Sequence, residues 1–298
     1  MKDIIIIGAG CAGLTAAIYA ARAGRSVLVL EQESVGGQIA FSPRVENYPG
    51  IASVSGMEFS DRLYAQADAL GAELELEKVL RVEPGDPIRV VTEDGMHECR
   101  RLIVATGVKH RPLGVPGEER FTGHGISYCA ACDGAFYKEK TVAVVGGGST
   151  ALQSAEMLSG LCEKVFLIHR RAQFRGEPAL AARAAKLVNV DAVLNARVTA
   201  LHGSGRLTGV TAAVPGGMRE LTLDALFVCV GQEPNNAFLR GTAALDGTGY
   251  LIAGEDCRTN VPGVFAAGDC RTKLVRQLTT AAADGSVAAL AASAECVG

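Results

Sequence analysis

Cys129 and Cys132 stand three positions apart in the run Ser127-Tyr128-Cys129-Ala130-Ala131-Cys132-Asp133-Gly134. Two thiols at this spacing can close into a disulfide and be reopened by a two-electron reductant; the same spacing also makes half of a tetrahedral zinc site. No second ligand pair at a workable spacing accompanies them. The remaining cysteines, at 11, 99, 162, 229, 257, 270 and 296, follow neither a metal-ligand nor a disulfide-framework rhythm and read mostly as small core residues. No metal site is expected. Asp133, directly beside Cys132, is placed to give or take the proton that moves whenever a thiolate is made or unmade. Its alternative is a turn carboxylate before Gly134.

Two glycine turns supply the second kind of chemistry. The first, Gly8-Ala9-Gly10-Cys11-Ala12-Gly13, follows the apolar run Ile4 to Ile7 and precedes a small-residue helix pattern from Leu14 to Ala23. The next apolar strand, Ser26 to Leu30, closes on Glu31. Strand, glycine turn, helix, strand and acid together form a dinucleotide fingerprint. The glycines allow the backbone to approach a pyrophosphate at the helix start, and the acid accepts from ribose hydroxyls. The second turn, Gly146-Gly147-Gly148-Ser149-Thr150-Ala151, follows Thr141 to Val145 and opens a helix to about Gly160. Its next strand, Lys164 to Ile168, ends in His169-Arg170-Arg171, with Arg175 shortly after. Bases stand where the first copy has an acid. Guanidinium groups form charge-assisted bonds to a 2′-phosphate, so this site should prefer NADPH to NADH.

The elements that must hold these residues repeat. Copy one continues through hairpin strands around Arg81 to Val82 and Ile88 to Thr92 to Leu102-Ile103-Val104-Ala105-Thr106-Gly107. Copy two continues through Val198 to Leu201, Leu207 to Ala212 and Arg219 to Leu223 to Leu226-Phe227-Val228-Cys229-Val230-Gly231. Continuous apolar strands imply parallel sheets covered on both faces. After copy two, Gly249 to Ile252 and Val264 to Asp269 read as short strands, and Thr279 to Ala294 as a closing alanine-rich helix. With no third fingerprint, this tail is expected to complete the first domain. The fold class is therefore α/β with two Rossmann-like nucleotide-binding domains, the second inserted into the first: 1–112, 113–243 and 244–298. Two crossings, near 110–118 and 232–244, allow one domain to rotate against the other.

Composition sets the outer limits. The chain has 298 residues and a formal net charge of -3, with acids and bases interspersed. No basic patch argues for nucleic acid or an anionic membrane surface, and the apolar start is too short for a secretion signal or a membrane span. A cytoplasmic protein is expected.

On these residues the chain resembles bacterial-type, low-molecular-weight thioredoxin reductases over nearly its whole length. The resemblance rests on both glycine turns, Gly36-Gly37-Gln38, Glu46-Asn47-Tyr48-Pro49-Gly50, Ala105-Thr106-Gly107, the cysteine segment, His169-Arg170-Arg171, and Gly268-Asp269 with Arg276-Gln277. It implies FAD in the first domain and NADPH in the inserted one. The dithiol would pass electrons to the disulfide of thioredoxin or a thioredoxin-like protein, and the enzyme would be a homodimer.

Matched by position, Gly8, Gly10 and Gly13 would line the FAD pyrophosphate and Glu31 the adenosine ribose. Gly37, Gln38 and Asn47 would lie on the flavin side, with Thr106, Gly107, Gly268, Asp269, Arg276 and Gln277 completing that site. Gly146, Gly148, Ser149 and Thr150 would cradle the NADPH pyrophosphate, with His169, Arg170, Arg171 and Arg175 around the 2′-phosphate. The resemblance makes Cys132 the sulfur nearest the flavin and Cys129 the one that attacks the partner, forming a mixed disulfide that Cys132 resolves. The chain departs from relatives at Gln153-Ser154, where two glutamates are common, at Ala172, where an aspartate is usual, and in the segment Gly231-Gln232-Glu233-Pro234-Asn235. These departures touch the nucleotide side, and leave ferredoxin or another donor as the alternative reductant of a disulfide oxidoreductase of this fold.

Overall fold

A computed structural model of the chain describes residues 1–42 and 44–296. It divides into two compact units, one of residues 1–109 with 233–298 and the other of residues 110–232. The divides therefore fall a few residues before 112/113 and about ten before 243/244. The second shift has a packing cause: Leu239 and Ala243 lie in the core of the first unit, beside Val82, Val90 and Leu251.

In the first unit the run Lys2–Ile7 forms the central strand, because its four isoleucines can be covered on both faces. Ile4, Ile5 and Ile6 are fully buried. Parallel strands Val27–Glu31 and Met96–Val104 flank it, with Ile6 level with Val29 on one side and Ile103 on the other. Glu73–Leu76 closes one edge in parallel. The nine-residue strand Met96–Val104 serves two partners along its length: Ile88–Thr92 pairs antiparallel with its first half, and Val264–Ala266 pairs parallel with Leu102 to Val104. Val79–Glu83 completes the hairpin. The tail thus adds a strand to the first sheet.

The last helix, Leu278–Glu295, packs on the first, Cys11–Arg22. A Cβ at Gly285 would lie 2.3 Å from the Ala12 carbonyl oxygen, so this glycine and the buried alanines 16, 288, 289 and 292 let the two backbones approach. The expected strand Gly249 to Ile252 does not form. Of these described residues only Leu251 makes isolated bridges, to Leu245 and Arg271, because the segment's backbone bonds are split between Asp246, Ala244, Cys270 and Thr272 instead of running along one neighbouring strand. The helix Gly56–Asp68, not anticipated from the apolar pattern, is started by Ser55, whose hydroxyl accepts from the Glu58 amide.

In the second unit a parallel sheet runs Val190–Val193, Lys164–Ile168, Thr141–Gly146, Ala225–Cys229, Ile126–Ser127, beside an antiparallel layer of Arg197–His202, Gly209–Val214 and Gly217–Thr222. No helix among the described residues is long and apolar enough to cross a membrane.

A buried ion cluster ties the tail of the first unit together. Asp284 accepts from Arg271 through both carboxylate oxygens, from Lys273 at 2.8 Å and from the Gly268 amide at 2.9 Å. Burial pushes this carboxyl up, but the bonds from Arg271 and Lys273 outweigh it and hold the carboxyl below its ordinary value. Asp284→Ala leaves the buried Lys273 side chain without its carboxylate partner and Arg271 with only the exposed Glu255 at 3.8 Å, and is expected to cost about 3–5 kcal/mol in urea unfolding at neutral pH. Because the folded-state pKa is lowered, the contribution is present above the ordinary carboxylate pKa and fades as pH falls through the lowered one. The wild-type and variant curves should therefore converge in acid.

Candidate active site

The dithiol follows the short strand Ile126–Ser127, which pairs in parallel with Ala225–Cys229. Ser127 is level with Phe227, and Phe227 with Val144 on the next strand. The cysteines consequently emerge at the carboxyl end of the same parallel sheet whose central strand ends in Gly146, the position where doubly wound sheets hold ligands. Cys129 and Cys132 are joined as a disulfide across one short helical turn, with Cα atoms 5.3 Å apart. The Cys132 amide donates to Cys129 Sγ at 3.2 Å, a bond that favours negative charge on that sulfur once the pair is reduced.

The surroundings of the pair are fixed on both sides. Tyr128 stacks on His110 at 5.0 Å between ring centroids, and its hydroxyl donates to Glu118 at 2.7 Å. Glu118 in turn accepts from the amides of Leu113 and Gly114. Burial pulls the His110 ring down to about 4, so it is neutral at physiological pH. On the other side Asp133 is carried beside the disulfide. Burial raises its carboxyl, and a 2.6 Å bond from the Ser127 hydroxyl pulls it partly back. Asp133 Oδ1 is buried without a partner among the described residues. In sequence Ser127 belongs to the cysteine segment, and nothing in composition distinguishes it from a strand serine.

The second glycine turn and the arginine loop are clasped together. The Gly147 carbonyl accepts from the Arg175 amide at 2.6 Å and the Gly176 amide at 3.0 Å, and Ser149 Oγ accepts from the Glu177 amide. His169 is buried beneath the turn, its ring so close that a Cβ on Gly147 would lie 2.1 Å from it. It bonds to the Gln173 carbonyl, and burial with the adjacent arginines lowers its pKa. Arg170, Arg171 and Arg175 are exposed, and none of them is ion-paired among the described residues. Open space surrounds the Gly148 Cα. Three unpaired guanidiniums beside an open glycine turn fit a phosphorylated nucleotide. Of the departures from relatives, Ser154 lies 3.6 Å from the Cys229 sulfur, and Gln153 is exposed.

In the first unit Glu31 joins strand to turn, accepting from the Ala9 amide at 2.8 Å and the Glu33 amide at 2.9 Å. Gly13 permits the helix to meet the strand, since a Cβ there would lie 1.8 Å from the Gly8 carbonyl oxygen. Around Gly10 the nearest atom to such a Cβ is 3.9 Å away, which leaves the turn open to a ligand. Gly36 and Gly37 both hold left-handed φ, and Gln38 donates to the Val108 carbonyl. Asn47 and Gln277, 230 positions apart in sequence, are brought together at 3.3 Å. Gln277 also caps the last helix with Thr280. Thr106 donates to Asn236, a buried side chain that holds the carbonyls of Gly249 and Cys270; this hub was not anticipated from sequence. Arg276 lies over the Tyr250 ring at 4.3 Å and donates to the Asp269 carbonyl. Asp269 sits at the turn pinned by Asp284. Burial raises its carboxyl, and its Oδ1 has no partner among the described residues. A buried unsatisfied acceptor beside an open glycine turn fits a ligand hydroxyl, as the ribityl or ribose of a flavin nucleotide would provide.

Comparison with known proteins agrees with this chemistry. Residues 2–285 match the family model described as pyridine nucleotide-disulphide oxidoreductase. The chain is 41% identical over 295 residues to a thioredoxin reductase of Treponema pallidum (strain Nichols), covering 98% of this chain and 96% of that one. It is 40% identical over 290 residues to a thioredoxin reductase of Listeria monocytogenes, covering 96% and 91%. The crystal structure of thioredoxin reductase from Streptococcus pyogenes MGAS5005 matches with a TM-score of 0.95 at 38% identity, covering 99% of this chain and 98% of that one. With a family model spanning both units and relatives this similar along almost its whole length, the chain belongs to the pyridine nucleotide-disulphide oxidoreductase family, whose chemistry implies a flavin and a pyridine nucleotide.

Proposed function

We propose that the chain is an NADPH-dependent thioredoxin-disulfide reductase, with FAD held by the first unit and NADPH by the second. The observation that carries this reading is the Cys129–Cys132 disulfide at the carboxyl end of the sheet that also bears a glycine turn flanked by unpaired arginines. A flavin held in the first unit would supply the two-electron chemistry that links the nicotinamide to the disulfide. Gly8, Gly10 and Gly13 admit its pyrophosphate, Glu31 its ribose, and Asp269 accepts a hydroxyl through the unpartnered Oδ1. Gly37, Gln38, Asn47, Thr106, Gly107, Gly268, Arg276 and Gln277 shape the rest of that site. Gly146, Gly148, Ser149 and Thr150 hold the NADPH pyrophosphate, and Arg170, Arg171 and Arg175 the 2′-phosphate; His169 supports the turn from below. Ferredoxin as donor would leave the arginines with no anion to hold.

Cys129 is the sulfur that attacks, since the Cys132 amide stabilises its thiolate. Cys132 resolves the mixed disulfide, and Asp133 exchanges the protons. We infer from the same resemblance a homodimer working in the cytoplasm. The reading is tested by trapping: the Cys132→Ser variant, mixed with oxidised thioredoxin after reduction, should form a covalent 1:1 adduct through Cys129, seen by mass spectrometry. Adduct through no cysteine, or none with thioredoxin, contradicts it.

A further inference from the structure

The Ser127 hydroxyl has a single hydrogen and two acceptors within reach, Asp133 Oδ2 at 2.6 Å and the Cys129 carbonyl oxygen at 3.3 Å. The shorter contact, to a carboxyl oxygen, takes it. The lone pairs of the same oxygen accept from the Cys129 amide at 3.0 Å. Ser127 is buried, and its strand is held by the Phe227 pairing, so this three-way contact is rigidly placed. One Asp133 oxygen is thereby occupied, while Oδ1 is buried and unpartnered among the described residues. Gly134, next along, packs under Met157 and Leu158 of the helix Ser149–Ser159, which closes the pocket from behind.

Resting on the roles proposed above for Cys129, Cys132 and Asp133, we propose that Ser127 is a positioning residue: by donating to Asp133 Oδ2 it directs the exchangeable proton to Oδ1, and by accepting from the Cys129 amide it fixes that carboxyl to the backbone of the attacking cysteine. The proton traffic balances. The Cys129 thiolate attacks the partner's disulfide; a Cys129–sulfur bond forms, the partner's S–S bond breaks, and the departing thiolate takes the Oδ1 proton. The Cys132 thiol then returns its proton to Oδ1 as its sulfur attacks Cys129 Sγ. The Cys129–Cys132 bond re-forms and the second partner sulfur leaves as thiolate. Two electrons have passed from the dithiol to the partner, and Asp133 ends protonated as it began.

The other titratable groups near Asp133 are few. Tyr137 on the next turn senses it and itself faces Arg206 and Asp224. Tyr128 is engaged by Glu118, and Glu156 on the packed helix is half-buried and paired with Arg183. The Ser127 bond is therefore the main polar influence opposing burial of the Asp133 carboxyl.

The test is pH-difference infrared spectroscopy of the reduced full-length holoenzyme, the Asp133 carboxyl band being the one absent in Asp133→Asn. Ser127→Ala is expected to raise its midpoint by about one pH unit, with the same displacement in the pH profile of Cys129 alkylation by iodoacetamide. Ser127→Thr, which keeps the hydroxyl, should restore the wild-type midpoint, and Ser127→Cys, a weaker donor, should move it in the same direction but less. An unchanged midpoint in Ser127→Ala, with the band still lost in Asp133→Asn, overturns the positioning role alone. An alkylation profile that Asp133→Asn does not alter overturns instead the assignment of Asp133 to the dithiol, and the proposal with it.

Discussion

Cys132→Ser lowers thioredoxin turnover by at least about 10³-fold, because a single remaining sulfur can attack a disulfide but cannot be released from it. Bleaching of the flavin absorbance by NADPH persists in the same variant, since the nucleotide-binding residues are untouched. Cys129→Ser gives an equal loss of turnover without accumulating any adduct, as the attacking sulfur is gone. The two variants thus separate attack from resolution. A residual turnover above about one per cent in either would place the exchange chemistry on other residues. The free cysteines offer no substitute: Cys11, Cys99, Cys162, Cys257, Cys270 and Cys296 are buried, burial pushes the Cys11, Cys99 and Cys257 thiols up to about 12, and burial also raises the thiol of the partly covered Cys229.

The second large effect is on nucleotide choice. Arg170→Ala combined with Arg171→Ala is expected to reduce kcat/KM for NADPH by about 100-fold, the loss of two charge-assisted contacts, while kcat/KM for NADH changes little. The arginines are exposed and not ion-paired among the described residues, so their removal should leave the fold intact. Equal losses with both nucleotides would mean that the arginines act on the turn rather than on a 2′-phosphate. His169→Ala should behave in that second way. Its ring fills the space under Gly147, to which the arginine loop is tied through the Arg175 and Gly176 amides.

Legibility in sequence followed the range of the interaction. The central strands Ile4 to Ile7 and Thr141 to Val145, the glycine turns and the cysteine pair are local signals, and the structure forms its strands, turns and disulfide at those residues. The closing helix was visible because alanines fill Leu278–Glu295; its docking on the first helix depends on Gly285, whose purpose appears only when Ala12 is opposite. Segments that depend on distant partners were less readable. Gly249 to Ile252 has the composition of a strand, yet its Leu251 finds only single bridges. Asn236 carries no local signal, and its role as a hub for Thr106, Gly249 and Cys270 exists only once three separate segments converge. Ser127 is similar. It opens a recognisable motif, two residues before Cys129, but its hydroxyl gains meaning from a 2.6 Å contact that spacing alone does not reveal. The expected divide at 243/244 and the compact-unit divide at 232/233 differ for the same reason, since Leu239 and Ala243 pack in a core with residues from the opposite end of the chain.

The most direct test mixes the purified flavoprotein anaerobically with NADPH, and separately with NADH, follows the flavin absorbance, and then adds oxidised thioredoxin. Fast bleaching by NADPH, much slower bleaching by NADH, and recovery of the absorbance on adding thioredoxin are expected. Absence of bleaching with either nucleotide, or a bleached flavin that thioredoxin fails to reoxidise, would contradict the electron path from NADPH through the Cys129–Cys132 pair.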